Sequence, residues 1–345
     1  MTKKERVKRT ILHQEVDIVP FKIDFTIPAW EKLISFLGRE PSIDEIGNHI
    51  VEIEPVTSDA WIEIKPNFWK DEWGIIWNRT VDPDIGNPIP VLKEPSLKNY
   101  KFPDPERKER YEKFPEFIEK NRDKFILANI GFSLFERAWT LRGMENLLVD
   151  MIENPDFVHE LIEAITDFNL RIIKNVSKYE IDGVRFGDDW GQQRGLIMGI
   201  KYWREFIKPY LKIMYDEVHK NGLFVFIHSC GDIKEIIPEL IEIGVDVFNP
   251  FQPEVVDIYE MKEKYGNKLT FYGGISIQKL LPFGTPAEIK KEVNKILEII
   301  GKGGGYIASP SHSIPKDVPV ENIVALIETL NNQKEKNKMV EINVL

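Results

Sequence analysis

Leu223-Phe224-Val225-Phe226-Ile227-His228-Ser229-Cys230-Gly231 is a short apolar run that ends in polar residues and glycine. Continuous runs rich in β-branched and aromatic residues read as parallel strands covered on both faces. The pattern recurs at residues 125–130, 183–189, 245–250, 269–274 and 305–310, each followed by a long amphipathic stretch, and residues 18–24 read as a first strand. Alternation on this scale means βαβ units and a parallel sheet. Seven visible strands and one obscure one close more naturally into a ring than into an open sheet. The sequence therefore predicts an α/β fold, a (β/α)8 TIM barrel forming one domain over residues 1–345, with an N-terminal helical segment; an open doubly wound sheet is the alternative.

Helix starts are marked by capping boxes at Thr2/Glu5, Ser42/Glu45 and Thr285/Glu288, and by Asn154 as a cap before Pro155. Residues 60–105 break the alternation. They hold Trp61, Trp69, Trp73 and Trp77, a turn-rich stretch at 82–90 and no long helix. This region reads as a β-hairpin excursion from the barrel, its tryptophans packing the hairpin or lining a substrate pocket.

The 345 residues are 42% hydrophobic and 30% charged, the balance of an ordinary globular protein. A net charge of −10 argues against nucleic acid as a partner, because phosphate binding needs a basic surface. No apolar run is long enough to span a bilayer, and the basic start lacks the apolar segment of a secretory signal. With a single cysteine there is no internal disulfide, which fits a reducing compartment; the expected location is the cytoplasm. No phosphate loop and no Gly-x-Gly-x-x-Gly fingerprint occur, so no nucleotide cofactor is implied.

Alternate side chains of a strand share a face, so His228 and Cys230 point the same way from a carboxyl end, where barrels carry their catalytic groups. Such a pair can bind zinc together, serve as base and nucleophile, or be a buried cysteine beside a hydrogen-bonded histidine. His312 ends the last clear strand. In a barrel it would face the same mouth, giving three ligands and an open fourth position, as catalytic zinc requires. Asp188 and Asp189 end the strand at 183–189, where a carboxylate can act as acid or base, bind metal, anchor a cationic group or cap a helix. Asp71, Glu72 and Glu136 are further candidates in aromatic settings, and Gln252 also lies at a strand end.

The linked motifs then suggest a family. Gly187-Asp-Asp-Trp190-Gly-Gln-Gln, Trp203-Arg-Glu-Phe-Ile-Lys-Pro, Phe226-Ile-His-Ser-Cys-Gly, Asn249-Pro-Phe-Gln252, Phe271-Tyr-Gly-Gly-Ile, Gly284-Thr-Pro and Gly304-Gly-Tyr-Ile-Ala-Ser-Pro-Ser-His312, in this order, resemble the uroporphyrinogen decarboxylase superfamily. Val19-Pro20 and Phe135-Glu-Arg with Gly143 look similar too, so most of the chain is covered. The resemblance implies a (β/α)8 barrel and one of two chemistries. True uroporphyrinogen decarboxylases use no metal and grip their tetrapyrrole with arginines near the first strand. Here that segment reads Phe21-Lys-Ile-Asp24-Phe-Thr-Ile-Pro, without arginine, which leaves several substrate carboxylates without counter-charges. The cobamide-dependent methyltransferases of the superfamily hold zinc through His-x-Cys and a later cysteine. This chain keeps His228-x-Cys230 and has His312 where the later cysteine is expected.

The sequence thus points to a methyltransferase in which His228, Cys230 and His312 hold Zn2+, Asp188, Asp189 and Glu136 serve catalysis, and Asp24, Asp71, Trp190 and Gln252 face the substrate. A corrinoid carried by a partner protein would give or take the methyl group, and a homodimer is compatible with this reading. The alternatives are a metal-free carboxy-lyase acting on a porphyrinogen or smaller carboxylate, and a tetrapyrrole-binding protein without chemistry of its own.

Overall fold

Lys3–Ile11 forms the first helix because Thr2 accepts the amide of Glu5 while the Glu5 carboxylate accepts the amide of Thr2. The same reciprocal caps at Ser42/Glu45 and Thr285/Glu288 start the helices Ile43–Ile46 and Pro286–Ile300. At Asn154 the outcome differs. Pro155 opens the helix Pro155–Val176, but the Asn154 side chain donates back to Asp150 and does not cap the new helix.

The computed structural model describes residues 1–333. Its strands are β1 (Ile50–Ile53), β2 (Trp61–Lys65), β3 (Phe68–Asp71), β4 (Ile76–Asn78), β5 (Asn87–Ile89), β6 (Phe125–Ile130), β7 (Gly183–Gly187), β8 (Gly191–Gln192), β9 (Gly195–Leu196), β10 (Phe224–His228), β11 (Val247–Phe251), β12 (Thr270–Ile275) and β13 (Tyr306–Pro310). Seven of them form one sheet in the order β1-β6-β7-β10-β11-β12-β13. Neighbours pair in parallel at β6/β7, β7/β10, β11/β12 and β12/β13. The fold is TIM-barrel-like α/β, and six of these strands fall on the apolar runs that predict them. No helix among the described residues is long and apolar enough to cross a membrane.

Contacts divide the chain into two compact units. Among the described residues the first comprises 1–51, 121–126 and 246–333, and holds β11 to β13. In it, Phe251 stacks on Phe271 at 4.3 Å, and the expected first strand is reduced to isolated parallel bridges from Phe21 to Ala308 and from Phe25 to Ile314. The reason lies in Asn48. Its side chain accepts the amide of Ile23 and donates to the carbonyl of Ile23, occupying both groups that a strand ladder would use. Backbone bonds still link Ala308 to Pro20 and Lys22, and Phe21 to His49, so this segment fills the place of a strand without its regular pairing.

The second unit, residues 52–120 and 127–245, holds β7, β10 and the aromatic excursion. The excursion is a four-stranded antiparallel meander, β2-β3-β4-β5, where the sequence predicts a single hairpin. Asp71 organises it from within. Its Oδ1 accepts the amides of Trp73 and Ile75, and its Oδ2 accepts the indole N–H of Trp77.

Candidate active site

β7 and β10 pair in register up to Gly187 and His228, and the two chains stay zipped beyond their strands. Asp188 donates its amide to the carbonyl of His228 at 2.9 Å. The amide of Trp190 donates to Ser229 Oγ at 3.0 Å, and the amide of Cys230 donates to Asp189 Oδ1 at 2.8 Å. Within this brace, His228 and Cys230 share a face, with Nε2 and Sγ 3.4 Å apart. Asp189 Oδ1 lies 3.9 Å from the same Nε2.

The two adjacent aspartates have different surroundings. Asp188 is fully buried and accepts the amides of Leu134, Phe135 and Glu136, at the start of the helix Phe135–Arg142, together with the indole N–H of Trp190 at 2.6 Å. A carboxylate at a helix N-terminus satisfies donors that have no intrahelical partner. Burial nevertheless pushes its carboxyl up to about 7, against the pull of those four N–H donors. Asp189 is 37% exposed and faces His228 and Cys230. Glu136 brings a third carboxyl to the same place. A Cβ added to Gly187 would lie 3.8 Å from its Oε2, and burial, then the charges of Asp189 and Asp188, raise its carboxyl well above the ordinary range.

Burial also pushes the Cys230 thiol up, helped by the negative charges of Asp189 and Glu136. Burial therefore disfavours a bare thiolate at Cys230. The spacing suits a shared ion instead. Zinc–nitrogen and zinc–sulfur bonds of about 2.1 and 2.3 Å at a tetrahedral angle set their donor atoms about 3.6 Å apart, close to the 3.4 Å between His228 and Cys230.

The other positions singled out by the sequence are spread over both units. Trp190 is fully buried, its indole engaged by Asp188 and its ring 5.9 Å from Trp203. Asp71 is buried in the meander and meets Arg137 at 3.4 Å. In the first unit, Asp24 pairs with Lys22 at 2.9 Å, and Gln252 follows β11 with its carbonyl accepting the amides of Val255 and Val256. His312 follows β13 in an exposed turn, next to Ser311, whose amide donates to the carbonyl of Ile275.

Two residues that the sequence did not single out stand beside the carboxyl cluster. Phe132 adopts φ +49°, a left-handed conformation that bulky residues seldom hold outside functional sites. Arg137, one residue after Glu136, is buried with its guanidinium 4.6 Å from the ring of Trp73. A charged pair inside the otherwise apolar Leu134-Phe-Glu-Arg-Ala-Trp segment was the available signal.

The profile of the uroporphyrinogen decarboxylase (URO-D) family matches residues 75–333. A uroporphyrinogen decarboxylase of Wigglesworthia glossinidia brevipalpis is 28% identical over 74% of this chain and 71% of its own length. A methylated-thiol–coenzyme M methyltransferase of Methanosarcina mazei is 25% identical over 56% of this chain and 49% of its own length. The chain thus spans about half of that relative, as it does of a Coxiella burnetii uroporphyrinogen decarboxylase, 51% of which is matched. Among solved structures, a methyltransferase from Methanosarcina mazei superposes with a TM-score of 0.71 at 17% identity, covering 96% of this chain and 99% of that one, which establishes a shared fold.

Proposed function

We propose, for a chain that belongs to the uroporphyrinogen decarboxylase family, that it is a zinc-assisted methyltransferase moving a methyl group between a small methylated substrate or thiol and a corrinoid carried by a partner protein. The observation that carries this reading is the His228–Cys230 pair, whose 3.4 Å separation suits one zinc ion. His312 supplies the third ligand. Like the pair, it leaves the carboxyl end of a strand in the main sheet, and the three side chains are of types and number able to hold one metal ion. Bound zinc would act as a Lewis acid on the methyl-bearing oxygen or sulfur.

The chain's own groups do the rest. His228 and Cys230 are held rigid by the brace between the ends of β7 and β10. Asp189, partly exposed and next to both, orients the substrate or takes the proton of an incoming thiol. Glu136, whose carboxyl burial raises well above the ordinary range, is suited to donate a proton to a leaving oxygen. Asp188 fixes the helix on which Glu136 sits. The arginine-free segment Phe21–Pro28 lacks the counter-charges that a tetrapyrrole with many carboxylates needs.

The test is transfer from free methylcobalamin to a thiol, followed by the change in corrinoid absorbance. Zinc-loaded protein is expected to catalyse it, and Cys230→Ser to abolish it. Undiminished turnover by the Cys230→Ser protein would overturn the reading. A metal-free carboxy-lyase is the second reading, favoured by the raised carboxyl of Glu136 beside Asp189 and by similarity to decarboxylases. It requires carbon dioxide release that survives loss of Cys230.

A further inference from the structure

Phe132 and Arg137 also line a cavity of about 210 Å³, all of whose walls belong to the second unit. Arg137 is the anomaly in it. Its side chain is nine-tenths buried, yet among the described residues its Nη1 has only Asp71 Oδ2 at 3.4 Å and its Nε–H has no partner. A guanidinium carries five donors, and buried donors are normally satisfied. Asp71 cannot complete the set, since its two oxygens already accept from Trp73, Ile75 and Trp77. The cavity's other arginine is not available either: Arg110 is matched by Glu72 through two hydrogen bonds. The remaining acid on the wall, Glu54, is exposed and accepts a hydrogen bond from Asn129 at 3.2 Å.

The walls around Arg137 are aromatic. Its guanidinium lies 4.6 Å from the ring of Trp73 and 5.6 Å from that of Phe132, and Phe168 contributes a further ring. The volume exceeds the roughly 150 Å³ of a cavity known to hold benzene. We propose that this cavity binds a small molecule with a flat apolar body and one oxyanion, a carboxylate or sulfonate, whose oxygens accept from the guanidinium edge of Arg137. A planar guanidinium and a planar or trigonal oxyanion pair through two parallel hydrogen bonds. The inference deepens the methyl-transfer reading by naming a substrate class, and rests on it only for what happens to the molecule once bound.

Binding is therefore measured as heat, without turnover. Benzoate, benzenesulfonate and uncharged benzyl alcohol are titrated into the full chain, with and without zinc, at concentrations up to about 10 mM. The expected result is one-to-one binding of both anions, at least tenfold tighter than benzyl alcohol, with or without metal. Arg137→Gln should weaken benzoate at least tenfold and leave benzyl alcohol unchanged. The wild-type comparison stands whether or not that variant folds: no benzoate binding, or equal affinity for benzoate and benzyl alcohol, overturns the site. Benzoate binding by a protein that transfers no methyl group upholds the site and counts against the reaction alone.

Discussion

A Cβ placed on Gly231 would fall 2.4 Å from the carbonyl carbon of Gly191, so the start of β8 and the loop that follows β10 touch backbone to backbone. Gly231 also holds φ +86°, where any other L-residue is strained. Gly231→Ala should destabilise the fold by about 2 kcal/mol or more, from the left-handed conformation and the clash together. Because Cys230 is the adjacent residue, metal affinity should fall at least tenfold although no ligand is changed. Urea unfolding and zinc titration of one preparation measure both; native stability and metal affinity in the Gly231→Ala protein would show that the contact positions nothing.

Asp188 and Asp189 should separate in mutagenesis. Asp188→Ala leaves three amides and an indole N–H unsatisfied in the core, a loss on the order of 3 kcal/mol or more. Asp189→Ala removes a partly exposed carboxylate and should cost under about 1 kcal/mol while lowering turnover strongly. Equal stability losses would remove the distinction between a helix cap and a reacting group.

His49 should make stability pH-dependent. Burial, then the neighbouring charge of Arg6, whose Nη1 lies 3.3 Å from His49 Nε2, pushes its imidazole down to about 3 from the ordinary 6.5. Between those values the unfolded chain takes up a proton that the folded chain refuses, so stability falls as pH drops below about 6.5. The His49 contribution lost between pH 6.5 and 5 is about 1.5 kcal/mol. Wild type minus His49→Gln, measured by urea unfolding at each pH, isolates it from opposing groups such as Asp188. A difference that does not change with pH would contradict the assignment.

The six strands that the sequence predicts correctly are legible because both of their faces are covered, so they read as unbroken apolar runs. β1 is only four residues long and carries Glu52, and Pro20–Phe25 loses its ladder to the Asn48 side chain; neither effect shows in local composition. The adjacency of His228 and Cys230 was legible because the run ends in His-x-Cys, although Cys230 lies two residues past the end of β10 and is held there by its amide bond to Asp189. The division of labour between Asp188 and Asp189 was not, since it depends on where the helix Phe135–Arg142 begins in space. Arg137 escaped notice for a similar reason. Its unmatched donors follow from Asp71, distant in sequence, already being claimed by three other groups.

X-ray absorption at the zinc edge, on protein purified without chelator, tests the central claim most directly. The proposed site requires one zinc per chain with a single sulfur at about 2.3 Å and nitrogen or oxygen neighbours at about 2.1 Å, the sulfur shell vanishing in Cys230→Ser and the affinity dropping in His312→Ala. Protein that takes up no zinc, or binds it without a sulfur neighbour, would contradict the metal site and the chemistry built on it.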